Sequence, residues 1–126
     1  MSRKILVVDD DKTMLQLLGA ILRANGYEVI TALDGAQAVM RAHKDKPDLI
    51  LLDLMMPAGD GLSVCRKLHM STNTNHIPII VITASADTDI EAKAQQAYAR
   101  FLVKKPFDAG HLVARVAEAL SPRPAA

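Results

Sequence analysis

The sequence predicts an α/β domain: a doubly wound parallel sheet of five strands with helices on both faces. Two observations predict it. Apolar residues switch repeatedly between short β-branched runs and helical spacing, giving five strands that alternate with five helices. The connections between them are short, and parallel strands joined in this way require right-handed crossovers. In such a sheet, function sits beyond the carboxyl ends of the strands, beside the point where strand order reverses.

Lys4-Ile-Leu-Val-Val8 runs into three acids and reads as a strand buried on both faces. From Lys12, the residues Met14, Leu15, Leu18, Ile21 and Leu22 recur at helical spacing until Asn25-Gly26 stops the helix. Glu28-Val-Ile-Thr-Ala32 is the second strand. Asp34 caps a weaker helix that starts at Gly35 and runs through Val39, Met40 and His43. After a break at Pro47-Asp48, Leu49-Ile-Leu-Leu-Asp53 is the most apolar stretch and the central strand. Leu62, Cys65 and Leu68 mark a third helix after Gly61. Ile79-Ile-Val-Ile-Thr83 is a fourth strand entered through Pro78. Residues 89–98 form an Ala- and Gln-rich helix with little apolar face beyond Ile90. Phe101-Leu-Val103 is a short fifth strand. Asp108 caps a last helix lined by Leu112, Val113, Val116 and Leu120.

Composition narrows the function. The 126 residues, 50% apolar and 23% charged, fit one globular domain of residues 1–120 with a flexible tail over 121–126. The chain has no Trp, two Phe and two Tyr, which argues against a base-stacking nucleic-acid platform, since that needs aromatic faces. A net charge of +1 gives no reason to expect a polyanion or a membrane surface as partner. The lone Cys65 excludes a disulfide framework and fits a reducing cytoplasm. No apolar run is long enough to span a membrane, and the acids at Asp9-Asp10-Asp11 come too soon for a signal peptide.

Eleven of the fourteen acids are Asp. Most of them, Asp34, Asp48, Asp60, Asp87, Asp89 and Asp108, read as turn and cap residues, and Asp11 as the cap of the first helix. Three others, Asp9, Asp10 and Asp53, gather at strand ends. Strand one ends in Asp9 and Asp10, strand three in Asp53, strand four in Thr83, and strand five in Lys104-Lys105 before Pro106. Two carboxylates ~4 Å apart repel by about 4 kcal/mol at an effective dielectric near 20. Three of them on one rim call for a cation, and all-oxygen ligands favour Mg²⁺. His43, His69, His76 and His111 share no ligand spacing and are expected to face solvent, with Cys65 on the core side of its helix.

The segments ILVVDDD, LILLDLMMPAGDG, IIVITAS and VKKPF, in order over residues 4–120, resemble the receiver domain of bacterial two-component response regulators. The resemblance implies a flavodoxin-like fold with strand order 2-1-3-4-5. It also implies phosphotransfer from a sensor histidine kinase or a histidine phosphotransfer protein to Asp53. Asp10, Asp53 and the Met55 backbone carbonyl would ligate Mg²⁺ directly, with Asp9 acting through a water. Thr83 and the Lys before Pro106 would each meet a phosphoryl oxygen. Phosphorylation would then switch the face formed by the last two helices and the last strand, with Thr83 and Phe101 as switch residues, and so control binding of a downstream protein target. The implied protein acts without direct nucleic-acid contact, as a monomer or weak phosphorylation-dependent dimer. It catalyses its own phosphorylation and slow autodephosphorylation rather than turnover; an apolar Met55, two residues past the phosphoacceptor, cannot orient a water. Met56-Pro57 through Gly61 matches the family's loop after the phosphoacceptor, and Ala84 its small residue after the Thr.

Two positions depart from the family pattern. Family members place an aromatic residue or His, then two residues, then Lys-Pro, whereas Phe101-Leu-Val-Lys104-Lys105-Pro106 holds one residue more. Either Phe101 pairs with Lys104 as the functional lysine, or Leu102 takes the aromatic position and Lys105 is functional. Lys105 is favoured, because the resemblance implies a cis bond between it and Pro106. Upstream, Ala97-Tyr98-Ala99 stands where the family has Ala-Gly-Ala. Loss of that glycine predicts a mobile or unusual connection into the last strand.

Overall fold

The computed structural model describes residues 2–56 and 61–121. Five strands alternate with five helices: β1 (Lys4–Val8), α1 (Lys12–Ala24), β2 (Glu28–Ala32), α2 (Gly35–Asp45), β3 (Leu49–Asp53), α3 (Gly61–Met70), β4 (Ile79–Thr83), α4 (Ile90–Gln96), β5 (Phe101–Lys104) and α5 (Ala109–Leu120). The strands form one parallel sheet in the order β2-β1-β3-β4-β5, so the order reverses between β1 and β3. This is the expected flavodoxin-like architecture.

Each strand face supplies one of two cores. Leu6, Val8, Ile50, Leu52, Ile79 and Val81 face α2, α3 and α4, where they meet Ala38, Ala42, Val64, Leu68 and Ile90. Ile5, Val7, Leu49, Leu51, Ile80 and Ile82 face α1 and α5, where they meet Leu15, Leu18, Leu22, Leu112 and Val116. Residues of β3 and β4 are buried throughout because both of their faces are covered. Complete burial of a Leu or Ile side chain contributes about 1.5–3 kcal/mol, so these two clusters carry most of the stability.

Asp11, Asp34 and Asp108 cap α1, α2 and α5, their carboxylates accepting the N–H of Thr13, Gln37 and His111 at 2.9, 2.8 and 3.1 Å. Asp48 closes the turn into β3 by accepting the Lys4 N–H at 2.8 Å. Asp89 stands at the N-cap of α4 with no side-chain cap bond, and Asp87 accepts its N–H instead at 2.9 Å. All four histidines are exposed and Cys65 is buried. Asp60 and the loop match at Met56-Pro57 lie wholly or partly outside the described residues, as does the tail after Ser121.

Three readings of the sequence need correction. The fourth helix is shorter than residues 89–98, because only Ile90 and Ala94 on it reach the core. β5 runs one residue further, to Lys104, because Lys104 pairs in register with Thr83. Met40 is 51% exposed: small Ala38 and Ala42 form the buried stripe of α2 instead. The connection after α4 is unusual, as the missing glycine suggests. Tyr98 adopts φ +71°, a left-handed conformation that glycine reaches without strain. The turn is closed by the Tyr98 N–H to Gln95 O and the Ala99 N–H to Ala94 O, each at 3.0 Å.

Candidate functional site

Alternation along the strands decides which side chains share the rim. In β1, Ile5 and Val7 point to the α1/α5 core, and Asp9 continues that row one residue past the strand. Leu49 and Leu51 do the same for Asp53, and Phe101 and Val103 for Lys105. Three strands therefore end in two carboxylates and one ammonium on the same side of the sheet. Thr83 follows Val81, which belongs to the other core, so it ends β4 on the opposite side.

The backbone holds these ends close. The Asp9 N–H donates to Ala32 O at 3.2 Å, the Leu54 N–H to Ile82 O at 3.1 Å, and the Lys105 N–H to Thr83 O at 2.8 Å. The Lys105–Pro106 peptide is cis. Gly61, at the start of α3, packs on the chain just past Asp53. A Cβ there would lie 2.7 Å from Leu54 Cα and 3.0 Å from Asp53 O, so any larger residue would displace the segment that carries Asp53.

The Lys105 ammonium lies 3.4 Å from Asp9 Oδ2 and 3.7 Å from Asp53 Oδ2. Asp9 and Asp53 are buried, whereas Asp10 is exposed. Each buried carboxylate also has a backbone partner: Asp9 Oδ1 accepts the Asp11 N–H at 2.9 Å, and Asp53 Oδ1 accepts the Met55 N–H at 3.1 Å. Burial pushes the Asp9 carboxyl above the ordinary carboxylate range, and the Asp53 charge adds to that effect; the Asp11 N–H and Lys105 oppose it. One carboxylate oxygen each from Asp9, Asp10 and Asp53 lies within 4.8 Å of the others. One ammonium against three carboxylates leaves negative charge uncompensated, and the all-oxygen donor set suits a hard divalent cation.

Thr83 is fully buried, and its Oγ1 accepts the Ser85 N–H at 3.0 Å. Met55 is 59% exposed, with its side chain outside the core. Of the two lysines before Pro106, Lys105 turns to the acids and Lys104 is exposed. Phe101 is not brought to this site. It lies half-buried on the α1/α5 side of the sheet, with the Arg115 and Arg100 guanidinium carbons 5.4 and 5.5 Å from its ring centroid. Leu102, paired with Val81, shares the face of Thr83 and packs against the core beneath α4. Sequence reasoning offered Leu102 as the alternative to Phe101 at the aromatic position, and the parity of β5 places Leu102 on the Thr83 face. The close approach of Gly61 was missed, because a contact between helix start and strand end leaves no local signal.

The description "response regulator receiver domain" matches residues 5–117. The response regulator PleD of Caulobacter vibrioides is 47% identical over 116 residues, which cover 92% of this chain and 26% of that protein. The DNA-binding response regulator MtrA of Mycolicibacterium smegmatis is 40% identical, covering 92% of this chain and 50% of that protein. The chain thus spans a quarter to a half of the length of these relatives. Among solved structures, the chemotaxis protein CheY4 of Vibrio cholerae superposes with a TM-score of 0.89 at 28% identity, covering 94% of this chain and 99% of that one. A CheY-like receiver domain protein of Methanospirillum hungatei superposes with a TM-score of 0.88 at 26% identity, covering 95% and 94%. With its strand order, its acid–lysine rim and these relatives in agreement, the chain belongs to the response regulator receiver domain family.

Proposed function

We propose that this receiver domain accepts a phosphoryl group on Asp53 from a sensor histidine kinase or a histidine phosphotransfer protein. The observation that carries the reading is the Lys105 ammonium set between Asp9 and Asp53 at the strand ends. An Asp53 carboxylate oxygen forms the new P–O bond as the P–N bond of the donor's phosphohistidine breaks, and the freed imidazole nitrogen takes up a proton. The chain's own contribution is position and charge. The Met55 N–H holds Asp53 Oδ1, which leaves Oδ2 on the side of the lysine. Lys105 neutralises one phosphoryl oxygen. The Thr83 hydroxyl reorients to donate to another.

Asp10, Asp53 and the Met55 carbonyl would hold Mg²⁺ directly, with Asp9 acting through a water; when bound, the ion offsets the negative charge of carboxylates and phosphoryl oxygens. Movement of Thr83 shifts the population of two states of the α4–β5–α5 surface, which controls a downstream protein partner. The domain is a cytoplasmic switch that does not turn over substrate, a monomer or weak phosphorylation-dependent dimer making no direct nucleic-acid contact. No helix among the described residues is long and apolar enough to cross a membrane. The exposed, apolar Met55 cannot orient a hydrolytic water, so the acyl phosphate persists for longer than seconds.

The test is to mix the protein with Mg²⁺ and acetyl phosphate and to weigh it. One phosphoryl adduct per chain, absent in Asp53→Asn, is the expected result. Continuous release of phosphate without a stable adduct would instead identify an Asp-nucleophile phosphohydrolase. The Asp that such an enzyme carries two residues after its nucleophile is Met55 here.

A further inference from the structure

The end of the sheet opposite the acid rim holds a second polar site. A cavity of about 770 Å³ opens there, bounded by the residues that lead into β1, β3, β4 and β5 and by the last residues of α5. Its volume falls in the range of small-ligand sites. Arg3, Lys46, His76 and Arg100 line it, and Asp48 is its sole lining carboxylate among the described residues. That carboxylate already accepts the Lys4 N–H.

Cations near helix C-termini are ordinarily explained by the helix dipole. That explanation covers the position of Lys46, the C-cap of α2, and that of Arg100, whose guanidinium donates to Ala119 O and Glu118 O at 3.5 Å. It does not cover Arg3, which precedes a strand. Nor does it satisfy the Arg3, Lys46 and His76 side chains, which have no hydrogen bond or ion pair within the described residues.

A second observation points to the kind of anion. In the same wall, the His69 and Tyr98 rings stack with centroids 3.7 Å apart and planes within 7°. Tyr98 is 56% exposed and sits at φ +71°, so a bulky aromatic occupies a conformation that only glycine adopts without strain. Unpaired cations beside a preformed aromatic pair suit a ligand with phosphate at one end and a flat ring at the other. We propose that this cavity binds a nucleotide, with its phosphates on Arg3 and Lys46 and its base on the His69–Tyr98 pair. The few aromatics of the chain exclude an extended nucleic-acid platform, but one stacked pair suffices for a mononucleotide. The site is separate from the phosphoacceptor and does not depend on it.

The test is an amide-shift titration of the intact chain with ADP, pyrophosphate and adenosine. EDTA is present, so that phosphates are not drawn to the acid rim through a metal. ADP is expected to shift the amides of His69, His76 and residues 98–100 with a Kd below about 1 mM. Tyr98→Gly removes the ring at a position where glycine is unstrained, and Arg3→Ala with Lys46→Ala removes two exposed charges; neither alters the core. Each variant is expected to weaken ADP by about tenfold. The proposal is overturned if ADP and pyrophosphate bind equally and Tyr98→Gly changes neither. It is also overturned if shifts appear only around Asp53, or if ADP produces none.

Discussion

Lys105 and Asp9 lie 96 residues apart in sequence, and their charged atoms meet at 3.4 Å. The contact joins the end of β5 to the end of β1 across the intervening ends of β3 and β4. Because Asp9 is buried, the ammonium offsets charge that water cannot reach. Lys105→Ala is therefore expected to destabilise the metal-free protein by about 1–2 kcal/mol in urea unfolding, the partly exposed lysine placing the loss below that of a fully buried pair. Lys104→Ala, at an exposed side chain, is expected to change stability by less than about 0.5 kcal/mol. Comparable losses for the two variants would contradict the placement of Lys105.

Asp9 gives stability a pH dependence of definite sign. Its carboxyl is raised, chiefly by burial, so its contribution is fully present below the unfolded value near 3.8 and is lost as pH rises through the raised folded value. In EDTA, Asp9→Asn is expected to be more stable than the parent at neutral pH and to lose this advantage on acidification, as measured by urea unfolding at several pH values. With Mg²⁺ added at neutral pH, the parent is expected to gain thermal stability and Asp10→Asn to gain less. Equal gains would remove Asp10 from the ligand set.

Leu102 and Phe101 are adjacent but face opposite sides of the sheet. Leu102 lies on the side of Thr83 and α4, whereas Phe101 lies against the α1/α5 core beside Arg115. On loading the site with an acyl-phosphate mimic, the Leu102 methyl resonances are expected to shift more than the Phe101 ring resonances. The reverse order would place the response on the other face and restore Phe101 as the switch residue.

Cys65 offers a control on the fold itself. It is fully buried, and burial pushes its thiol up to about 12. At neutral pH the native protein is expected to react with a thiol reagent only as fast as it unfolds, and denaturant is expected to accelerate labelling sharply. Rapid labelling in buffer would mean that the α3 face of the core opens readily.

Much of this molecule is legible in its sequence because the signals are local. Runs such as Leu49–Leu52 and Ile79–Ile82 can only be strands covered on both faces, and caps at Asp11, Asp34 and Asp108 mark helix starts. Strand-end chemistry is local too, and it brought out Asp9, Asp10, Asp53, Thr83 and the Lys104-Lys105 pair before any contact was known, whereas the choice of Lys105 came from the family resemblance. Less legible were features set by packing between distant segments. Met40 fits a helical apolar stripe, yet α3 packs on the alanines of α2 beside it. Motif spacing drew attention to the aromatic Phe101, whereas strand parity assigns the Thr83 face to Leu102. Absence of glycine at Tyr98 marked an unusual turn, but the His69 ring that stacks there belongs to another helix.

Whether Asp53 itself carries the phosphoryl group can be measured on the residue. The direct measurement is to load the protein with acetyl phosphate and Mg²⁺, reduce the acyl phosphate with borohydride and sequence the peptides by mass spectrometry. Reduction converts a phosphorylated aspartate to homoserine, and homoserine is expected at position 53 with Asp9 and Asp10 unchanged. Homoserine at position 9 or 10, or a phosphoryl group retained on a histidine, would contradict phosphorylation of Asp53.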